Sequence, residues 1–149
     1  MATGGLNQTA TPSPVVDFVP QKNYPSFSTI IIVTITVTAN TGTSPTLTYA
    51  QVLGGFITSS NAAAQTLTLP TAALLVPQIE GVQANSAIKL IVQATTGTST
   101  VAVGTGGTFA AGATATIAAG SIKQFLIQVT DAGSTSPAYT VYSLGTSVY

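Results

Sequence analysis

Between Ser28 and Thr38 the sequence reads STIIIVTITVT, with Ile31, Val33, Ile35 and Val37 alternating against Ile32, Thr34, Thr36 and Thr38. A period of two puts successive side chains on opposite faces of an extended chain, so this run predicts a half-buried strand. The same rhythm returns in Ser86 to Ala94, where Ile88, Leu90 and Val92 share a face. It returns again in Ile122 to Thr130, where Phe125, Ile127 and Val129 oppose Gln124 and Gln128. Shorter pieces at Thr46–Tyr49, Thr66–Leu69, Thr100–Val103, Thr114–Ile117 and Tyr139–Leu144 fit the same pattern, and Phe56–Thr58 starts a strand or a turn. Thr and Val are β-branched and stiff at χ1, which favours strands. Helix formers are scarce and Arg is absent.

The runs are separated by turn-rich stretches: Asn40–Pro45, Gly104–Gly107, Ala118–Ser121 and Asp131–Pro137. Two helical pieces are expected. Tyr49–Leu53 is one turn closed by Gly54-Gly55. Pro70–Ile79 is a short helix that Pro77 must end or kink. About eight short strands at this spacing predict an all-β domain, an antiparallel β-sandwich or barrel. An eight-stranded jelly roll is one way to satisfy the pattern, and another Greek-key sandwich is a second.

Residues 1–27 carry Pro12, Pro14, Pro20 and Pro25 and no hydrophobic period. Proline fixes φ and biases its predecessor towards extended backbone, which predicts an extended N-terminal arm. Val15, Val16, Phe18, Val19, Tyr24 and Phe27 are the arm's candidate anchors, since a segment serving only solubility has no need of them. The β-sandwich domain is then 28–149.

Charge narrows the function. The 149 residues hold three basic and three acidic side chains and a formal net charge of zero. That is 4 % charged residues, against about 25 % in an ordinary soluble domain. A free monomer of this kind is prone to associate, so much of the surface is expected to face other subunits. Lys22, Lys89 and Lys123 are too few and too scattered to neutralise a run of phosphates, so no nucleic acid is expected. The N-terminus has neither a basic nor an apolar signal region. The longest strongly apolar run, Ile30 to Val37, falls well short of the roughly 20 residues of a membrane-spanning helix, so no membrane is expected.

Catalytic chemistry lacks its parts. There is no His and no Cys, which removes the common nucleophile–base pairs and the usual zinc ligands. Asp17, Glu80 and Asp131 would have to meet in space to form an acid–base pair. Asp131 beside Gly133 and Ser134 reads as a turn aspartate before it reads as a calcium ligand. Gly104-Thr-Gly-Gly107 is followed by no helix pattern and no placed lysine, so it reads as a hairpin turn and not as a phosphate cradle. No enzyme activity, cofactor or metal is expected. Thr-x-Thr runs at Thr34–Thr38, Thr66–Thr68 and Thr114–Thr116 could order water on a flat sheet, as ice-binding proteins do. Their uneven spacing fits an ordinary polar sheet face better.

Leu47-Thr-Tyr-Ala-Gln-Val-Leu-Gly-Gly-Phe-Ile-Thr58, then Thr66-Leu-Thr-Leu-Pro-Thr-Ala-Ala-Leu-Leu75, and the ending Tyr139-Thr-Val-Tyr-Ser-Leu-Gly-Thr146 resemble small β-rich virion proteins of tailed phages. These include capsid decoration (cement) proteins and the tips of head or tail fibres. The resemblance covers about residues 45–146. It implies a jelly-roll-like domain, usually a homotrimer, on the capsid surface of a virion, with the major capsid protein as partner. The arm would grip the shell by extended, apolar contacts. The alternative the resemblance leaves open is a fibre tip that binds a host-surface receptor or glycan, for which Tyr49, Tyr139, Tyr142 and Tyr149 are the candidate aromatic platform.

Overall fold

The computed structural model describes residues 36–149. The anchors Val15, Val16, Phe18, Val19, Tyr24 and Phe27, and the strand run up to Ile35, lie outside the described residues. The chain runs through β1 (Thr36–Asn40), α1 (Tyr49–Leu53), β2 (Gly55–Ser59), β3 (Gln65–Thr68), α2 (Ala72–Leu75) with a 3-10 turn at Val76–Gln78, and β4 (Ala87–Ala94). It continues through β5 (Ser99–Ala102), β6 (Gly107–Phe109), β7 (Thr116–Ile117), β8 (Ser121–Asp131) and β9 (Ala138–Val148). Strands dominate, so the domain is all-β in class.

The helical pieces stand where the sequence placed them. Thr48 caps α1 in a capping box: its hydroxyl accepts from Gln51 N–H and its own N–H donates to the Gln51 side chain (2.8 Å). The helix expected over Pro70–Ile79 is a single α turn, and Pro77 opens the 3-10 turn that ends it. The expected strand Thr46–Tyr49 is reduced to one parallel bridge, Thr46 with Thr68, because the cap at Thr48 commits the chain to α1.

The strands form two mixed sheets, one of six strands in the order β1-β2-β4-β8-β9-β6 and one of three in the order β3-β5-β7. This differs from the antiparallel sandwich expected. β4–β8, β8–β9 and β5–β7 are antiparallel. β1–β2, β2–β4, β3–β5 and β6–β9 are parallel.

The parallel pairs have one cause. From β1 the chain crosses to the small sheet at Thr43–Leu47, returns to the large sheet as β2, and crosses again to β3. It returns as β4 and crosses once more to β5. Each passage lies beside its predecessor: Thr36 faces Gly55, Phe56 faces Ile91, Thr46 faces Thr68 and Gln65 faces Ser99. The first half of the domain is thus a coil of three turns, like the solenoids in which each turn contacts only its neighbours. β7, β8 and β9 then cap the coil with antiparallel pairing.

The corners of the coil stack as its strands do. Asn61 in the second turn donates its side-chain amide to Thr41 O in the first (2.8 Å). Thr96 in the third donates its hydroxyl to Ser60 O in the second (3.0 Å), and Thr95 likewise to Ser59 O (2.9 Å). Gly97 has no room for a side chain, since a Cβ would stand 2.6 Å from Ala63 O.

One core fills the space between the sheets. Ile57, Leu90, Val92, Phe125, Ile127 and Val141 meet Leu67, Val101 and Ile117 there, all buried. At one end a polar cluster joins the layers: Ser99 donates to Ser59 (2.6 Å), Ser59 donates to the Gln65 carbonyl, and the Gln65 amide donates to Gly42 O.

Candidate functional site

The described surface carries few charges. Glu80, Lys89 and Asp131 are exposed, while Lys123 is buried. Lys123 Nζ donates to Thr114 Oγ1 (2.6 Å) and Thr116 O (3.1 Å) and lies 5.8 Å from the centroid of the Phe125 ring. It ties β8 to β7 and to the residues just before it, and burial lowers its pKa below the ordinary lysine value. Asp131 accepts from Gly133 N–H (2.7 Å), which makes it the Asx-turn residue its sequence neighbourhood suggested. No group of three His, Cys, Asp or Glu side chains stands together among the described residues. No helix among them is long and apolar enough to cross a membrane.

Gly104–Gly107 is a tight turn, with Gly107 N–H on Gly104 O (2.9 Å). It is not a hairpin turn: it carries the chain from β5 in the small sheet to β6 beside β9 in the large one.

The four candidate tyrosines separate cleanly. Tyr139 is buried, and its hydroxyl donates to Pro70 O (2.9 Å) while accepting from Gly104 N–H (3.2 Å). Burial raises its pKa, and the Gly104 hydrogen bond partly offsets the rise. It is a core brace. Tyr142 lies on the outer face of the large sheet and donates to Gln128 (3.0 Å), which in turn donates to Asn85 (3.2 Å). Tyr149 is exposed at the C-terminus. Tyr49 stands in the lining of a concave place.

That place is a groove of about 700 Å³ at the carboxyl ends of the three parallel runs of the small sheet. Leu47, Leu69, Pro70 and Gly104 line its floor, and Tyr49 and Leu74 rise from α1 and α2 as its rims. Thr46, Thr48, Thr68, Thr71 and Thr105 supply hydroxyls. No charged residue lines it. The outer face of the same sheet continues the theme: Thr66, Thr100 and Thr116 form one rung across β3, β5 and β7. Two of the three Thr-x-Thr runs therefore contribute to one face, while Thr36 and Thr38 belong to the large sheet. The groove was not singled out in the sequence. Its signal was the repeated Thr-Leu pair at 46–47 and 68–69, which the coil lays side by side.

Among the described residues, the far edge of the large sheet is open. β6 pairs with β9 only at Tyr139–Val141. From Tyr142 to Val148, β9 has β8 on one side and no strand among the described residues on the other. Leu144, Val148 and Tyr149 are exposed there, at 54 %, 81 % and 61 %.

Comparisons with family models, with curated proteins and with solved structures find no match for this chain.

Proposed function

We propose that this chain is a non-catalytic structural protein of a virus particle: a capsid decoration, or cement, protein that works as a homotrimer on the outer capsid surface. The observation that carries the reading is the scarcity of charge. Three exposed charged side chains, Glu80, Lys89 and Asp131, serve the whole described domain. A surface so poor in charge is poorly suited to a free monomer and well suited to contact with copies and with a shell. The open β9 edge gives the neighbouring copy a place to add. A cyclic trimer uses such an edge head to tail, meeting a different surface of the next copy. The role asks of the fold only a rigid all-β domain; the jelly-roll-like course implied by the resemblance is not required for it.

The arm supplies the grip in this reading, with Val15, Val16, Phe18, Val19, Tyr24 and Phe27 seated on the major capsid protein. The test is composition and substitution. Purified virions should carry the chain in copy numbers tied to capsid symmetry, and light scattering should give a trimer. Serine at all six anchor positions should abolish capsid binding and leave the domain folded. A handful of copies per particle rejects decoration and favours the second reading, a fibre tip, which the position of Tyr49 on a groove supports.

A further inference from the structure

We infer that the groove between Tyr49 and Leu74 is a binding site for a neutral oligosaccharide, with Tyr49 as its stacking platform. The lining decides the ligand's charge. With no Lys, Asp or Glu in the wall, the site offers nothing to a phosphate, a carboxylate or an ammonium group. What it offers is an exposed aromatic ring, an exposed aliphatic side chain and a set of hydroxyls. A pyranose has the matching surface: a C–H face that packs on an aromatic ring, rimmed by hydroxyls that both donate and accept. Thr71 has a hydroxyl to give, because it heads α2 by position and makes no capping bond.

Size and continuity favour a short chain of sugars over a single ring. The groove's volume of about 700 Å³ lies within the ~300–1,000 Å³ of small-ligand sites. A second hollow of about 630 Å³, lined by Ser136 and Pro137, shares Thr71 and Thr105 with it. A bound chain could therefore run from the Tyr49 rim past Thr71 and Thr105 into the neighbouring hollow.

The site is also held in advance. Leu69 N–H bonds Ala102 O and Ala72 N–H bonds Thr105 O, both at 2.8 Å. Tyr139 pins Pro70 and Gly104 together from below. Gly104 lets those walls close, since a Cβ there would stand 2.6 Å from Leu69 O. A preformed groove spends little binding energy on ordering itself.

The inference does not rest on the decoration reading, because it concerns the isolated protein. The full-length chain is titrated with neutral oligomers of glucose, galactose, mannose and N-acetylglucosamine, and with sialylated counterparts, by glycan array and then by calorimetry. At least one neutral oligomer is expected to bind, with its acidic counterpart weaker. Tyr49→Ala should weaken binding at least tenfold and Thr71→Val by a smaller factor. Tyr142→Ala, on the other sheet, should leave it unchanged, with thermal melts confirming that each variant is folded. The inference is overturned if no neutral oligomer binds, if acidic glycans bind best, or if Tyr49→Ala binds like the parent. It is equally overturned if Tyr49→Ala dissociates the oligomer, which would make the groove a contact between copies.

Discussion

Tyr139 joins two turns through one oxygen. It reaches from β9 through the core, accepts from Gly104 and donates to Pro70, so the ends of β3 and β5 are fixed to the large sheet. Tyr139→Phe keeps the ring and removes both bonds. The buried Pro70 carbonyl and the part-buried Gly104 N–H then lose this partner, at a cost of about 1–3 kcal/mol for such a loss. The phenol also shapes the alkaline limit. Its pKa is raised in the fold, so above the ordinary value of about 10 the unfolded chain loses the proton first. Stability therefore falls as pH rises beyond that point. Lys123 acts with the opposite sign. Its folded pKa is lowered, so stability rises as pH climbs through the lowered value and stops rising near the ordinary lysine value of about 10.4. Urea unfolding from about pH 8 to 11 should show a rise and then a fall in the parent. Tyr139→Phe should start lower and keep only the rise. A Tyr139→Phe curve that still falls above about pH 10 would contradict the tyrosine assignment, and one that shows no rise would contradict the lysine assignment.

At the scale of elements, the coil rests on its corners. Gly97→Ala drives a methyl group against backbone carbonyls of the previous turn, which cannot move aside as a side chain can. Forced overpacking of this kind costs about 1–3 kcal/mol. Asn61→Ala removes one inter-turn hydrogen bond, to Thr41, and a local one from Ala63 N–H. Its cost should be about 1 kcal/mol, the net worth of a typical hydrogen bond. The expected order by urea midpoint is parent, then Asn61→Ala, then Gly97→Ala, and the reverse order for the two variants would deny the corners their role. These corners also show what the sequence could convey. The position of β4, β8 and β9 was legible, because Leu90 and Val92, then Phe125, Ile127 and Val129, then Tyr139 and Val141 recur at every second residue, and all are buried. Their partners were not. A short turn between two strands reads as a hairpin when consecutive strands pair. Here Ser60–Ala64 and Thr95–Thr98 instead turn the chain into the opposite sheet. Neither stretch contains the Asn-Gly or Asp-Gly pair that tight hairpins favour, and that absence was the available clue. β6 escaped notice because Gly107-Thr-Phe has no alternation to detect. The groove escaped because its residues come from three separate runs.

On the scale of the whole molecule, the unguarded edge of β9 is the feature most in need of a partner. Natural edge strands are kept apart by lysine, proline, brevity or bulges. From Ala138 to Tyr149 there is neither a charged residue nor a proline. Two register shifts interrupt its pairing with β8: one at Val129/Asp131 near the start of β9, and a bulge where Gln124 and Phe125 face Gly145 and Ser143, so Leu144 lacks a cross-strand partner and its side chain is exposed. The strand after the bulge remains paired to β8 as far as Val148, and its other side is open among the described residues. An interface built here would consist of backbone hydrogen bonds and of Leu144, Val148 and Tyr149. Such contacts do not weaken with salt as ion pairs do, since screening acts on charges and this edge has none. The oligomer should therefore keep its mass between about 50 mM and 1 M NaCl in sedimentation, a range over which the screening length shrinks several-fold. Replacing Leu144 and Val148 together by Lys sets like charges along the edge of every copy, the device by which natural edges repel strands. Both side chains are exposed in the single chain, so the double variant should keep the parent's β-sheet circular dichroism spectrum and sediment as a monomer. If it keeps the parent's mass, copies meet through another surface. If the parent itself dissociates as salt is raised, the association depends on its few charges, and the link from charge scarcity to assembly fails.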